Sequence, residues 1–135
     1  MGYLYVGVGG FLGAIFRGCL FSFNESAGTN FPWVTLFINI CGSFGFMAIM
    51  RLWAIKQNLS EHLRIGITTG FLGAFTTFST YSLDVVVQIK TGALDLALMY
   101  ILLTSLGCLG AGLLGDRLVG IFYHAEESLN REGKR

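Results

Sequence analysis

The 135-residue chain is 53% hydrophobic and only 13% charged, against about 25% charged residues in an ordinary soluble domain, and its mean hydropathy is +0.65. That balance excludes a conventional soluble globule and points to an all-α membrane protein. The net charge of +1 says nothing about nucleic acid, but no basic arm exists to bind it, so none is expected as a partner.

A membrane-crossing helix needs about 20 consecutive, mostly apolar residues. Four segments of a single domain spanning 1–135 meet that requirement: about 3–23, 31–53, 63–89 and 93–115. The first has neither a basic leader nor a convincing cleavage site, so it reads as a retained span. It carries Arg17, a charge costly inside a bilayer and therefore a candidate functional residue; snorkelling or bracing a helix contact is the plain alternative. A short polar loop covers 24–30. The second span holds Asn39, whose amide offers two donors and an acceptor, with Ser43 one turn on as interhelical glue. A more basic loop, 54–62, leads to the third span.

That third span contains the unusual stretch 70–84, GFLGAFTTFSTYSLD. Small residues (Gly70, Gly73, Ala74) precede crowded hydroxyls at Thr76, Thr77, Ser79, Thr80, Tyr81 and Ser82. Aromatic rings stand at Phe75, Phe78 and Tyr81. A lipid-facing helix has no use for this. Non-helical backbone at membrane depth is tolerated only where protein buries it or it lines a cavity, so a helix broken mid-membrane around a functional site is expected. After a tight turn at Thr91 and Gly92, the fourth span carries Tyr100, Thr104 and Cys108 on one face. A charged tail, 124–135, closes the chain as a frayed helical extension.

Apart from Arg17, the cations Arg51, Lys56, Arg64, Arg117, Arg131, Lys134 and Arg135 fall on one side of this four-span frame, and Lys90 alone on the other. Positive residues favour the cytoplasm, which puts both termini inside, in a multi-pass protein of the cell membrane surrounded by lipid. The pairs Gly9/Gly13, Gly66/Gly70 and Ala111/Gly115 each give one helix face two small residues for close packing. Cys19, Cys41 and Cys108 have no metal-ligand spacing and read as small buried residues. Four spans with little mass outside the membrane hardly enclose a pore alone, which favours an oligomer.

The polar inventory within the spans is hydrogen-bond donors, one fixed cation and aromatic edges, with almost no acid; Asp84 and Asp95 stand near span ends. A proton-coupled cation exporter of the small multidrug type would need an embedded glutamate, and the spans have none. The lining suits a small, hard anion, since ring edges carry the positive end of the aromatic quadrupole. An enzyme is not expected: His62 and His124 lie in a loop and the tail, with no nucleophile or metal cluster beside them.

The run GFLGAFTTFSTYS resembles the signature of the Fluc/CrcB fluoride channels, as do GxxGAxxR at 10–17 and NxxGSF at 39–44. The resemblance covers all four spans in order. It implies a passive, fluoride-selective channel that exports toxic fluoride, built as an antiparallel, dual-topology dimer with two pores and a structural Na+ ion at its centre. On this resemblance Asn39 is the pore asparagine and Phe78 the first ring of an aromatic box. Ser79 and Thr80 are hydroxyls near the pore, Tyr100, Thr104 and Cys108 the polar track of the fourth span, and Arg17 the family arginine. The backbone carbonyls of Gly73 and Thr76 are the implied sodium ligands. Two features depart from the pattern. The second ring of the box is Tyr81 where phenylalanine is usual, and the charge bias does not suit a chain that inserts both ways. The alternatives to a homodimer are therefore a subunit paired with an inverted paralogue, with one pore degraded, and a structural subunit that does not conduct.

Overall fold

The computed structural model describes residues 2–24, 31–56 and 60–132, which are helical apart from short connections. In chain order the elements are α1 (Gly2–Asn24), α2 (Trp33–Ile55), α3 (Glu61–Ile65), a π-helix (Gly66–Leu72), α4 (Gly73–Phe75), α5 (Phe78–Lys90) and α6 (Leu94–Glu132). Among the described residues, three helical stretches are long and apolar enough to cross a membrane: Gly2–Ser22, Trp33–Ile55 and Leu94–Ala125. The remaining expected span is the interrupted run from α3 to α5.

The helices pack in two parallel pairs. A Cβ added to Gly9 or Gly13 would collide with the carbonyls of Gly66 and Phe71, and one added to Gly70 would come within 2.7 Å of the Val6 carbonyl. The first two small-residue pairs therefore face each other, and α1 lies backbone to backbone on the π-helix. In the other pair, a Cβ on Gly115 would lie 2.5 Å from the Phe44 carbonyl, which lets α6 press onto α2. Between glycine-bearing helices in lipid, such close van der Waals packing replaces the hydrophobic drive available in water. Within each pair the two helices run in the same direction along their contact.

Several expectations need correction. The break is confined to residues 76–77, and the turn before it is a seven-residue π-helix. The sequence pattern does not announce that i→i+5 geometry, which concentrates at functional sites. The helix of the fourth span, expected over about 93–115, runs on past 115, and the charged tail extends it as helix to Glu132. It continues as one helix of 39 residues, about 58 Å at 1.5 Å per residue, because no proline interrupts it and α2 supports its glycines. The loop expected at 54–62 is shorter, since α2 runs to Ile55 and α3 starts at Glu61; residues 57–59 of it, and 25–30 of the first loop, lie outside the described residues. The turn at Thr91 and Gly92 is present, with Gly92 at φ +81°, a conformation that favours glycine. Cys19 and Cys41 are exposed and Cys108 half-buried. Cys19 and Cys41 sit on outward helix faces, which in an apolar span look no different in sequence from inward ones.

Candidate functional site

The interruption of the third crossing begins with Thr76. Its N–H and its hydroxyl both donate to the Leu72 carbonyl, at 2.9 and 2.8 Å, which ends the preceding turn. Its ψ of 156° then sends the chain into extended conformation, and Thr77 follows at φ −146°, ψ 118°. Thr77 is the N-cap of α5. Its hydroxyl oxygen accepts from the Thr80 N–H at 3.1 Å and lies 2.9 Å from the Thr80 hydroxyl and 3.3 Å from that of Ser79. A threonine in this position satisfies one of the orphan donors that every helix start exposes.

The peptide of Thr77 needs partners of its own, because Thr77 is buried. Asn39 of α2 provides both. Its Nδ2 donates to the Thr77 carbonyl at 3.1 Å, and its Oδ1 accepts the Thr77 N–H at 2.9 Å. One side-chain amide thus replaces the two bonds that a continuous helix would have made. Gly42, one turn along α2, leaves the space into which the Thr76 methyl projects, and any Cβ there would collide with it. Asn39 and Gly42 of the NxxGSF motif therefore hold the break between them. The expected pairing of Asn39 with Ser43 as interhelical glue gives way to this clamp across the break.

Beside the clamp lies an open groove of about 370 Å³ lined by Asn39, Ser43, Thr76, Thr77, Phe78, Tyr81, Thr104, Ser105 and Cys108. Thr104 is buried, and its Oγ1 has no hydrogen-bond partner among the described residues. Phe78 stands at the groove with 79% of its surface exposed, its ring 5.7 Å from that of Tyr81. Tyr81 lies 5.2 Å from Tyr100, which meets Phe31 edge-on at 5.5 Å. Tyr100 is fully buried, and its hydroxyl donates to Asp84 Oδ2 at 3.2 Å. A row of four rings thus runs from the groove to the end of the bundle where α5 turns into α6.

Of the residues singled out in the sequence, Asn39, Thr76, Phe78, Tyr81, Thr104 and Cys108 meet at one groove. Ser79 and Thr80 join it through Thr77. Tyr100 lies beneath Tyr81 rather than in the groove lining. Gly73 lines an adjoining groove of about 440 Å³ that shares Ser43, Thr76 and Cys108 with the first. Arg17 stands half-buried on α1, which packs against the π-helix and α4, and it lines neither groove. Sequence reasoning undervalued Thr77, Asp84 and Ser105. Thr77 had a legible signal: a threonine before a helix that restarts is a cap. The role of Asp84 depends on contact with a residue 16 positions away, which no local pattern shows.

The family model described as CrcB-like protein, Camphor Resistance (CrcB), matches residues 4–116. A fluoride-specific ion channel FluC of Agrobacterium fabrum is 43% identical over 112 residues, which cover 80% of this chain and 90% of that one. A fluoride-specific ion channel FluC of Rhodopseudomonas palustris is 43% identical over 103 residues, or 76% of this chain and 83% of the relative. The fluoride-specific ion channel FluC 2 of Carboxydothermus hydrogenoformans is 39% identical over 119 residues, 87% of each.

Proposed function

The chain belongs to the CrcB-like protein family, and from that membership we propose that it forms a passive, fluoride-selective channel by which a cell sheds toxic fluoride. The observation that carries the reading is the amide clamp of Asn39 on the Thr77 peptide. It keeps a helix start at membrane depth, beside a groove rich in donors. Among the first N–H groups of α5, that of Thr80 is capped by Thr77; those of Phe78 and Ser79 precede any intrahelical acceptor. A helix start concentrates partial positive charge and attracts anions.

Fluoride entering this groove gives up water and needs donors in return. The Asn39 amide, the hydroxyls of Ser79, Thr80 and Thr104, and the Phe78 ring edge offer them in sequence, and no carboxylate lines the groove to repel the ion. Tyr81 adds a hydroxyl where its ring faces Phe78, and Tyr100 orients that ring from below. Arg17 acts from α1 as a fixed positive field rather than as a contact. The absence of any glutamate from the apolar spans argues against a small multidrug-type exporter.

The backbone also fits a central sodium ion. In an uninterrupted helix the Gly73 carbonyl would accept the N–H of Thr77, yet that N–H goes to Asn39 at 2.9 Å. The Thr76 carbonyl is turned off the helix by its ψ of 156°. Two carbonyls near an open groove are thereby available to a hard cation, and Gly73 and Thr76 would hold it. Bound there, such an ion would supply positive charge to tie two copies together at their breaks.

Such a channel is an antiparallel dimer. The bias of seven cations on one membrane side against one on the other favours a second arrangement, in which this chain pairs with an inverted paralogue and one pore is lost. Relatives numbered FluC 1 and FluC 2 agree with organisms that carry two such chains. Fluoride efflux from liposomes holding the purified chain alone, with chloride as control, tests both arrangements. Fast fluoride loss without chloride loss supports the self-sufficient channel. No efflux until an inverted paralogue is added supports the mixed dimer, and no efflux in either case refutes the channel.

A further inference from the structure

At the end of the bundle where α2 leaves and α3 begins, a second group of donors has no part in the proposed pore. The guanidinium carbon of Arg64 lies 4.2 Å from the centre of the Trp53 ring. Its Nη1 is 3.8 Å from the Met50 sulfur, a weak acceptor, and its Nη2 is 3.8 Å from Glu61 Oε1. The Glu61 side chain is 68% exposed, so water screens that pair and leaves it little strength. Arg64 Nε and Trp53 Nε1 are both buried without an acceptor among the described residues. A guanidinium stacked in place and weakly neutralised, with 21% of its side chain exposed, keeps donor capacity on its outward edge. Lys56, exposed at the end of α2 one turn beyond Trp53, adds a second cation.

Trp53 and Lys56 close the apolar stretch Trp33–Ile55, and tryptophan and basic side chains at such an end gather at headgroup depth in membrane proteins. The acceptors abundant there are phosphodiester oxygens, and the planar fork of arginine matches them. Leu63, next to Arg64 in the chain, opens an almost wholly apolar groove of about 340 Å³ along α1, walled by Leu4, Val8, Leu12 and Ile67. It offers an acyl chain a surface that free phosphate does not need. We propose that Trp53, Lys56 and Arg64 bind the phosphodiester headgroup of an anionic phospholipid in the leaflet beside the α2–α3 connection.

Of the chain's two tryptophans, Trp33 and Trp53, the Trp33→Phe variant leaves only Trp53 as a reporter. Its fluorescence is measured in bilayers containing dibrominated phosphatidylglycerol or dibrominated phosphatidylcholine with the same acyl chains. The anionic lipid is expected to quench as if enriched about fivefold at Trp53, the effect of one well-placed cation at an anionic surface. In Arg64→Gln the enrichment falls to about unity, whereas Arg117→Gln, which removes an exposed cation of the same membrane face, keeps it. Equal quenching by the two lipids, or equal loss in both variants, overturns the proposal. Displacement of the anionic lipid by millimolar inorganic phosphate makes this a free-anion site and also overturns it. Native mass spectrometry of the unmodified chain gives an independent reading if a variant does not fold: preferential retention of phosphatidylglycerol supports the site, and indifference refutes it.

Discussion

Replacing Asn39 separates the two roles assigned to it, holding the break and lining the groove. Asn39→Ala removes both bonds to the Thr77 peptide, of 3.1 and 2.9 Å, and leaves a buried N–H and carbonyl without partners. An orphaned buried polar group costs about 1–3 kcal/mol, so a loss of about 2–4 kcal/mol is expected for the pair, tempered by whatever water reaches the groove. Asn39→Asp keeps the acceptor for the Thr77 N–H and loses only the donor, so it should unfold less readily than the alanine variant. It also puts a negative charge in the anion's path. At about 5 Å and an effective dielectric of about 20 the repulsion is about 3 kcal/mol, about a hundredfold in rate. Thermal unfolding in detergent and fluoride efflux from liposomes, run on both variants, should therefore rank them oppositely in severity per unit of stability lost: alanine mainly unstable, aspartate mainly slow. An aspartate variant that conducts like the parent would refute the groove as the path. An alanine variant as stable as the parent would refute the clamp.

Three further outcomes follow from the packing. Gly13→Ala should destabilise the protein by about 1–3 kcal/mol through overpacking, because its Cβ would collide with the Phe71 carbonyl; Gly7→Ala, with nothing within 4 Å, should be neutral in the same melting experiment. Thr77→Ala removes the cap on α5 and should cost about 1 kcal/mol, while Thr77→Ser restores the cap and most of the lost stability. Tyr81→Phe deletes a hydroxyl with no hydrogen bond among the described residues, so stability should change by less than about 0.5 kcal/mol, and efflux should persist; loss of efflux would make the hydroxyl a contact of the ion.

The long helices were legible because length and apolar composition are local properties. Gly9/Gly13 and Gly66/Gly70 each announced a close contact but not its partner; the structure joins the two at backbone distance. The break was legible for the same reason, since hydroxyls and glycines in an apolar run have few other uses. Its place was not. What stops the helix at Thr76 is an amide 38 residues away and the methyl-sized space at Gly42, neither visible from the interrupted strand of sequence itself. The π-helix was hidden too, because no residue preference marks i→i+5 bonding apart from the packing that demands it.

The same contrast explains why Asn39 and Thr77 are worth reading as one unit. A helix broken in lipid leaves peptide groups that water cannot reach, and each must be satisfied by protein or by what the protein carries. Here the clamp satisfies the peptide of Thr77 completely and, by taking its N–H, leaves the Gly73 carbonyl without its helical donor. Satisfying one side of the break thus exposes acceptors on the side of Gly73 and Thr76 and donors at the start of α5. A single polar residue on α2 sorts the freed backbone by sign, acceptors toward the proposed cation and donors toward the proposed anion, over a few residues of chain. Leucine at 39 would force a choice between a continuous helix, with neither site, and a break that the bilayer does not tolerate.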